Sequence, residues 1–291
     1  MEEWVSIVIA VLALGGLTFL LALMLVIANK KLYVYEDPRI DVVEDLLPHA
    51  NCGACGFPGC RPFAESVVAG DVLPGKCTVS SEEGRESIAS YLGVSLGNEE
   101  KRVARLACAG GTNVAKNKAS YKGMKTCQGA ALVSGGGKGC FWGCLGLADC
   151  MTVCDFEAIH MDEHSLPVVD SDKCTACGDC VEVCPKDLFS IQPVSHQLWV
   201  ACKNLENGDE ILEDCQVACT ACGRCELDAT GDVITMENNL PVVNYSFPQS
   251  QDPIQRCPTG AIVWIDEKQG VIKGRESKII IRKGERKVGY S

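Results

Sequence analysis

"CTACGDCVEVCP", residues 174–185, sets four cysteines at the spacing C-x2-C-x2-C-x3-C and ends on proline. Three thiolates that close together wrap one corner of an iron–sulfur cube, and the tight loop between them turns backbone N–H groups toward the sulfurs. The fourth cysteine, Cys184, precedes the proline and is expected to ligate a neighbouring cluster. Zinc sites are built from two ligand pairs, a poorer match to a triple plus one.

This is the run found in bacterial ferredoxins, and a two-cluster ferredoxin needs a second, reciprocal run. Cys140, Cys144, Cys150 and Cys154 supply it in stretched form, C-x3-C-x5-C-x3-C. Crossing the fourth ligands gives two expected [4Fe-4S] sites: Cys140, Cys144, Cys150 and Cys184 for one, Cys174, Cys177, Cys180 and Cys154 for the other.

An internal repeat extends the pattern. "AIHMDEHSLPVVD" (158–170) and "VITMENNLPVVN" (233–244) both read as apolar pairs around a polar turn, hence as hairpins. The second lies in another ferredoxin-like unit, with the triple Cys219, Cys222 and Cys225 and a terminal Cys257-Pro258. When "CMTVCDFEAI" (150–159) is laid over "CELDATGDVI" (225–234), Cys154 falls on Ala229. The second triple and its crossing ligand are missing together, so this unit is expected to keep one cluster, on Cys219, Cys222, Cys225 and Cys257.

"NCGACGFPGC" (51–60) is a separate module. Cys52, Cys55 and Cys60, with Cys77 beyond them, suit a further [4Fe-4S] cluster, and Gly53, Gly56 and Gly59 let the chain turn tightly around it. A zinc knuckle is the competing reading. Of the 20 cysteines, Cys108, Cys127, Cys202 and Cys215 remain. They are expected to form a fifth cluster with scattered ligands; buried thiols and a zinc site are the alternatives.

Redox compartment separates metal from disulfide. Trp4 to Ala28 is 25 residues without a charge, long enough to span a bilayer. A cleaved signal peptide would have a basic start and a shorter apolar run; here the chain begins Met1-Glu2-Glu3. Lys30 and Lys31 follow the span and no basic residue precedes it, so residues 30–291 are expected on the cytoplasmic side of a bacterial inner membrane. The cytoplasm is reducing, which favours metal ligation.

The net charge of −11 over 291 residues argues against nucleic acid as a partner. No residue reads as an acid–base or nucleophilic catalyst; His49, His160 and His164 suit surface or packing roles. Gly135-Gly136-Gly137-Lys138-Gly139 lacks the Ser or Thr that a phosphate-binding loop needs after Gly-Lys. Lys101, Arg102, Arg105, Lys116, Lys118, Lys122 and Lys125 form a stretch without acidic residues, an ordinary solvated face or a docking surface for an acidic ferredoxin. The basic C-terminal "KIIIRKGERK" (278–287) reads as an edge strand with a solvated tail, with a membrane or partner contact as the alternative.

An apolar anchor, "NCGACGFPGC", then ferredoxin runs: over essentially its whole length the chain resembles the RnfB family, the B subunits of Rnf complexes. These are membrane-bound, ion-translocating ferredoxin:NAD+ oxidoreductases. In the longer members a C-terminal ferredoxin region is added, and 202–262 resembles it. The resemblance implies an electron-transfer subunit that accepts electrons from reduced ferredoxin, with flavin- and NAD-carrying and membrane-embedded subunits as partners and Na+ or H+ as the ion moved. An iron–sulfur relay subunit of another membrane oxidoreductase is the runner-up, and a zinc-stapled scaffold the third.

The expected fold is α+β. A single N-terminal transmembrane helix (1–30) leads to a helical 4Fe-4S module (40–95), an intermediate basic segment (96–138), a two-cluster ferredoxin-like domain (139–195), a one-cluster ferredoxin-like unit (196–265) and a basic tail (266–291). In the helical module, Ser80 with Glu83 predicts a capping box and Gly93 a helix stop.

Overall fold

The computed structural model describes residues 2–32, 36–266 and 269–278. Helix α1 (Glu2–Leu32) is apolar around its whole circumference, and at 31 residues it is about 46 Å long. Its stretch Ile7–Leu32 is long and apolar enough to cross a membrane.

The next module is helical. Helices α2 (Arg39–Asp45), α3 (Cys60–Ala69) and α4 (Glu82–Leu92) enclose Val43, Leu47, Phe63, Val67 and Ile88, with the thiols of Cys60 and Cys77 in the same core. Phe63, Ala64 and Val67 lie on one face of α3, so the helix has a defined inner side. Arg61 fastens α3 to α2 through Asp41 at 3.0 Å and Glu44 at 2.7 Å. Gly93 ends α4 with φ at 68°, as expected, but the cap at its start is Ser81, whose Oγ accepts from Gly84 N–H at 3.1 Å. Ser80, expected in that role, is instead turned into the interior.

Two units of paired strands, hairpins and short helices follow, built to one plan. In the first, strand β1 (Arg102–Leu106) leads, by way of the short helices α5 (Cys127–Ala131) and α6 (Asp149–Thr152), to the hairpin β2 (Ile159–Met161) and β3 (Pro167–Val169). Helix α7 (Asp179–Glu182) and strand β4 (Phe189–Pro193) complete it, and β4 pairs antiparallel with β1, Arg102 opposite Pro193 and Leu106 opposite Phe189. The intermediate segment 96–138 thus supplies the partner strand of the unit expected to begin at 139. Ala104, Ile159 and Phe189 share one small core with Cys150 and Cys180.

In the second unit, β5 (Leu198–Val200), α8 (Arg224–Asp228), the hairpin β6 (Ile234–Glu237) and β7 (Leu240–Val243), then β8 (Ile262–Asp266) and β9 (Gly270–Ile272) follow in order. Here β5 pairs with β8 as β1 does with β4. Both Leu-Pro-Val-Val stretches supply the second strand of their hairpins. Strand β9 joins β8 and draws 270–272 of the expected tail into this sheet. Residues 279–291, and with them most of the basic C-terminal stretch, lie outside the described residues.

Candidate metal centres

The loops 174–180 and 219–225 share the sequence Cys-Thr-Ala-Cys-Gly-x-Cys and one backbone path. Ala176 and Ala221 sit at φ 61° and 57°, Gly178 and Gly223 at 101° and 70°, and a helix starts just after each glycine. An alanine in the left-handed region costs about 1–2 kcal/mol. That conformation turns successive N–H groups into a concavity suited to a negatively charged group.

Five cavities, each enclosing between 320 and 360 Å³ of space partly open to solvent, are each lined by four cysteines. All 20 thiols are used, four to a cavity, and none is paired in a disulfide. Three quartets match the sequence reading: Cys52, Cys55, Cys60 and Cys77; Cys154, Cys174, Cys177 and Cys180; and Cys219, Cys222, Cys225 and Cys257.

The other two differ by one exchange. Cys127, not Cys140, joins Cys144, Cys150 and Cys184, and Cys140 joins Cys108, Cys202 and Cys215. The cause lies in local anchoring. Gln128 N–H donates to Asp149 Oδ2 at 3.1 Å, which holds the start of α5 against α6 and its Cys150. Gly139 N–H donates to Lys116 O at 2.8 Å, and Lys116 N–H to Asp214 O at 2.7 Å, which holds Cys140 beside Cys215. Cys140 and Cys144 are close in sequence but face different cavities.

Close approach needs small residues at two points. A Cβ on Gly59 would lie 2.9 Å from Asn51 Oδ1, the atom that accepts Cys60 N–H at 2.8 Å. A Cβ on Gly110 would lie 3.1 Å from Cys215 Sγ.

The thiol environment suits a bound metal–sulfur group. Burial pushes Cys144, Cys180, Cys202, Cys215 and Cys225 up to about 12, and neighbouring thiols add to the shift. Thiolates in such places require a cation. Backbone N–H groups already point at the sulfurs: Gly110 and Cys144 donate to Cys108 Sγ at 3.4 Å, Asn204 and Cys219 to Cys202 Sγ at 3.3 Å, and Ala104 to Cys174 Sγ at 3.4 Å. Among the described residues, no three His, Cys, Asp or Glu side chains converge closely enough for a single metal ion. The thiols instead surround a space.

The seven basic residues of 101–125 do not form one surface. Arg105 is buried and donates to Val194 O at 3.1 Å; Lys101 and Lys118 meet Asp172 at 3.8 Å and Asp214 at 2.6 Å. The acidic partners come from distant segments, which the local charge run could not reveal. Arg102, Lys122 and Lys125 are exposed and Lys116 is half-buried.

Residues 47–79 match the family model described as "Putative Fe-S cluster", and residues 139–188 the one described as "4Fe-4S dicluster domain". The B subunit of the Na(+)-translocating ferredoxin:NAD(+) oxidoreductase complex of Acetobacterium woodii is 39% identical over 255 residues, covering 87% of this chain and 76% of the relative. The B subunit of the proton-translocating ferredoxin:NAD(+) oxidoreductase complex of Clostridium ljungdahlii is 38% identical over 262 residues, 89% of this chain and 92% of the relative. The B subunit of the ion-translocating oxidoreductase complex of Methanosarcina acetivorans is 34% identical, over 81% of this chain and 89% of the relative.

The chain belongs to the B-subunit family of the ion-translocating oxidoreductase complexes.

As a member of this B-subunit family it carries multiple [4Fe-4S] clusters, and its role is electron transfer. When bound, such a cluster takes up and gives back one electron at a time, at a potential set by nearby charge, hydrogen bonds and burial. The chain's own residues hold the thiols at fixed spacing, direct N–H groups at them and limit water.

Proposed function

We propose that this chain is the electron-input subunit of an ion-translocating ferredoxin:NAD+ oxidoreductase. It accepts electrons from reduced ferredoxin and relays them toward NAD+ reduction, coupled to Na+ or H+ movement by other subunits. The five four-cysteine cavities carry this reading: each suits one [4Fe-4S] cluster, so five per chain. Helix α1 anchors the chain in the bacterial inner membrane, with Lys30 and Lys31 on the cytoplasmic side together with everything that follows. The span contains no ionisable residue between Trp4 and Ala28, so the ion route belongs to partner subunits.

Ferredoxin docks on the loop that carries Lys116, Lys122 and Lys125. The loop also exposes Met124 and leads directly into Cys127. Its positive charge complements an acidic carrier and speeds encounter.

The test is metal analysis of the full chain purified without oxygen, with EPR after reduction. About 20 iron atoms and as many acid-labile sulfides per chain are expected. Zinc at these sites, with a colourless and EPR-silent protein, would overturn the reading. Co-purification with flavin- and NAD-binding subunits distinguishes this complex from other membrane oxidoreductases.

A further inference from the structure

We propose that Lys138 and Lys203 make the site formed by Cys108, Cys140, Cys202 and Cys215 the highest in reduction potential of the five. This rests on the reading that the quartet holds a [4Fe-4S] cluster, and goes beyond it in ranking the sites.

The five cavities differ in the charge that lines them. The cavity of the Cys108 quartet is lined by two lysines, Lys138 and Lys203, the latter with its Nζ on Asp187 O, and by no carboxylate; Asp214, next to Cys215, is neutralised by Lys118 at 2.6 Å. The Cys127 cavity has Lys186 offset by Asp149; the Cys154 cavity has Asp179 alone; the Cys52 cavity has no charged residue. The Cys219 cavity has Arg224, whose charge is shared with Glu276 at 3.3 Å. Adding an electron makes a cluster more negative, so a nearby ammonium stabilises the reduced state and a nearby carboxylate opposes it.

Lys138 is held in place. Its Nζ donates to Gly110 O at 2.6 Å, inside the loop that carries Cys108. A Cβ on Gly143 would lie 3.2 Å from its Cε, so the side chain runs closely along the Cys140–Cys144 loop.

Hydrogen bonding to sulfur also favours this site. Four backbone N–H groups donate to thiols of this quartet, two to Cys108 and two to Cys202. Such bonds to sulfur also favour the reduced state. Two of the donors, Cys144 and Cys219, are themselves cysteines of the neighbouring quartets on either side. An electron entering the loaded chain therefore settles at the centre that lies between the two ferredoxin-like units.

The experiment is an EPR-monitored redox titration of the full-length, anaerobically loaded chain, alongside K138M, K138R and C215A. The first signal to develop as the potential falls should be the one that C215A removes. K138M should weaken reduction of that centre most, by about tenfold, a 59 mV fall for a one-electron couple, and K138R should restore it. A Cys215-dependent signal that develops after the others, or that keeps its midpoint in K138M, overturns the ranking. Wild-type iron near 16 atoms per chain and unchanged in C215A removes the fifth cluster itself, and the ranking with it. If C215A does not fold, the signal shifted most by K138M and restored by K138R identifies the centre.

Discussion

Cys219 donates its backbone N–H to Cys202 Sγ at 3.3 Å, so a cysteine of one quartet hydrogen-bonds a thiol of the next. The contact is fixed by Asn204, fully buried between them. Its Nδ2 donates to Cys219 O at 2.8 Å and to Glu206 O at 3.1 Å, and its Oδ1 accepts Glu206 N–H at 3.2 Å. Asn204→Leu keeps the volume but leaves these groups without partners, at a cost of about 1–3 kcal/mol. The thermal unfolding midpoint of the loaded protein should fall, and the signals of the Cys202 and Cys219 centres should broaden together. A change confined to one centre would show that Asn204 does not couple them.

Gly110→Ala tests how tightly the four scattered cysteines converge. The new methyl group would stand 3.1 Å from Cys215 Sγ and 3.7 Å from Cys108 Sγ. Gly110 lies outside the left-handed region, so the substitution acts through space alone. We expect loss of about four iron atoms per chain, with the other four centres retained by EPR. Full iron content would mean that this loop can withdraw without releasing the site.

Which parts of this arrangement the sequence disclosed follows from how local the signals are. The Cys174 and Cys219 loops were legible because each triple lies within seven residues and the loop alone sets its geometry. The missing crossing ligand at Ala229 was legible by comparing the two units. The exchange of Cys127 and Cys140 was not, because it depends on Gln128 reaching Asp149 and Lys116 reaching Asp214, contacts 21 and 98 residues apart along the chain. Strand β1 was missed for the same reason: five residues of mixed character become a strand only once Phe189–Pro193 lies beside them. Charge behaved likewise, since Arg105 looked like a surface residue until the fold enclosed it.

Charge reversal at Lys122 and Lys125 tests the docking face. Both are exposed, and neither belongs to a thiol quartet. The double variant to Glu should slow reduction of the chain by reduced ferredoxin at low ionic strength and flatten the salt dependence of that rate, since steering by complementary charge is screened by salt. Reduction by dithionite, a small reagent, should be unchanged. Equal slowing with both reductants would point to damage at the Cys127 centre instead.

The metal-free protein should be most sensitive to alkali. Burial raises Cys144, Cys180, Cys202, Cys215 and Cys225 from the ordinary thiol value of 9.0 to about 12. In the unfolded chain these thiols lose their protons near pH 9, while in the fold they keep them. The folded form therefore binds more protons through that interval, and its stability falls as pH rises from 9 toward 12. Below pH 9 both states are protonated at these groups and their contribution is fully present. With clusters bound, the thiolates are already metal ligands and the alkaline loss should disappear. Urea midpoints of the apo protein at a series of pH values, compared with the loaded protein, measure this directly. An apo protein equally stable at pH 8 and pH 10.5 would mean that its thiols are solvated and the cavities open when no metal is held.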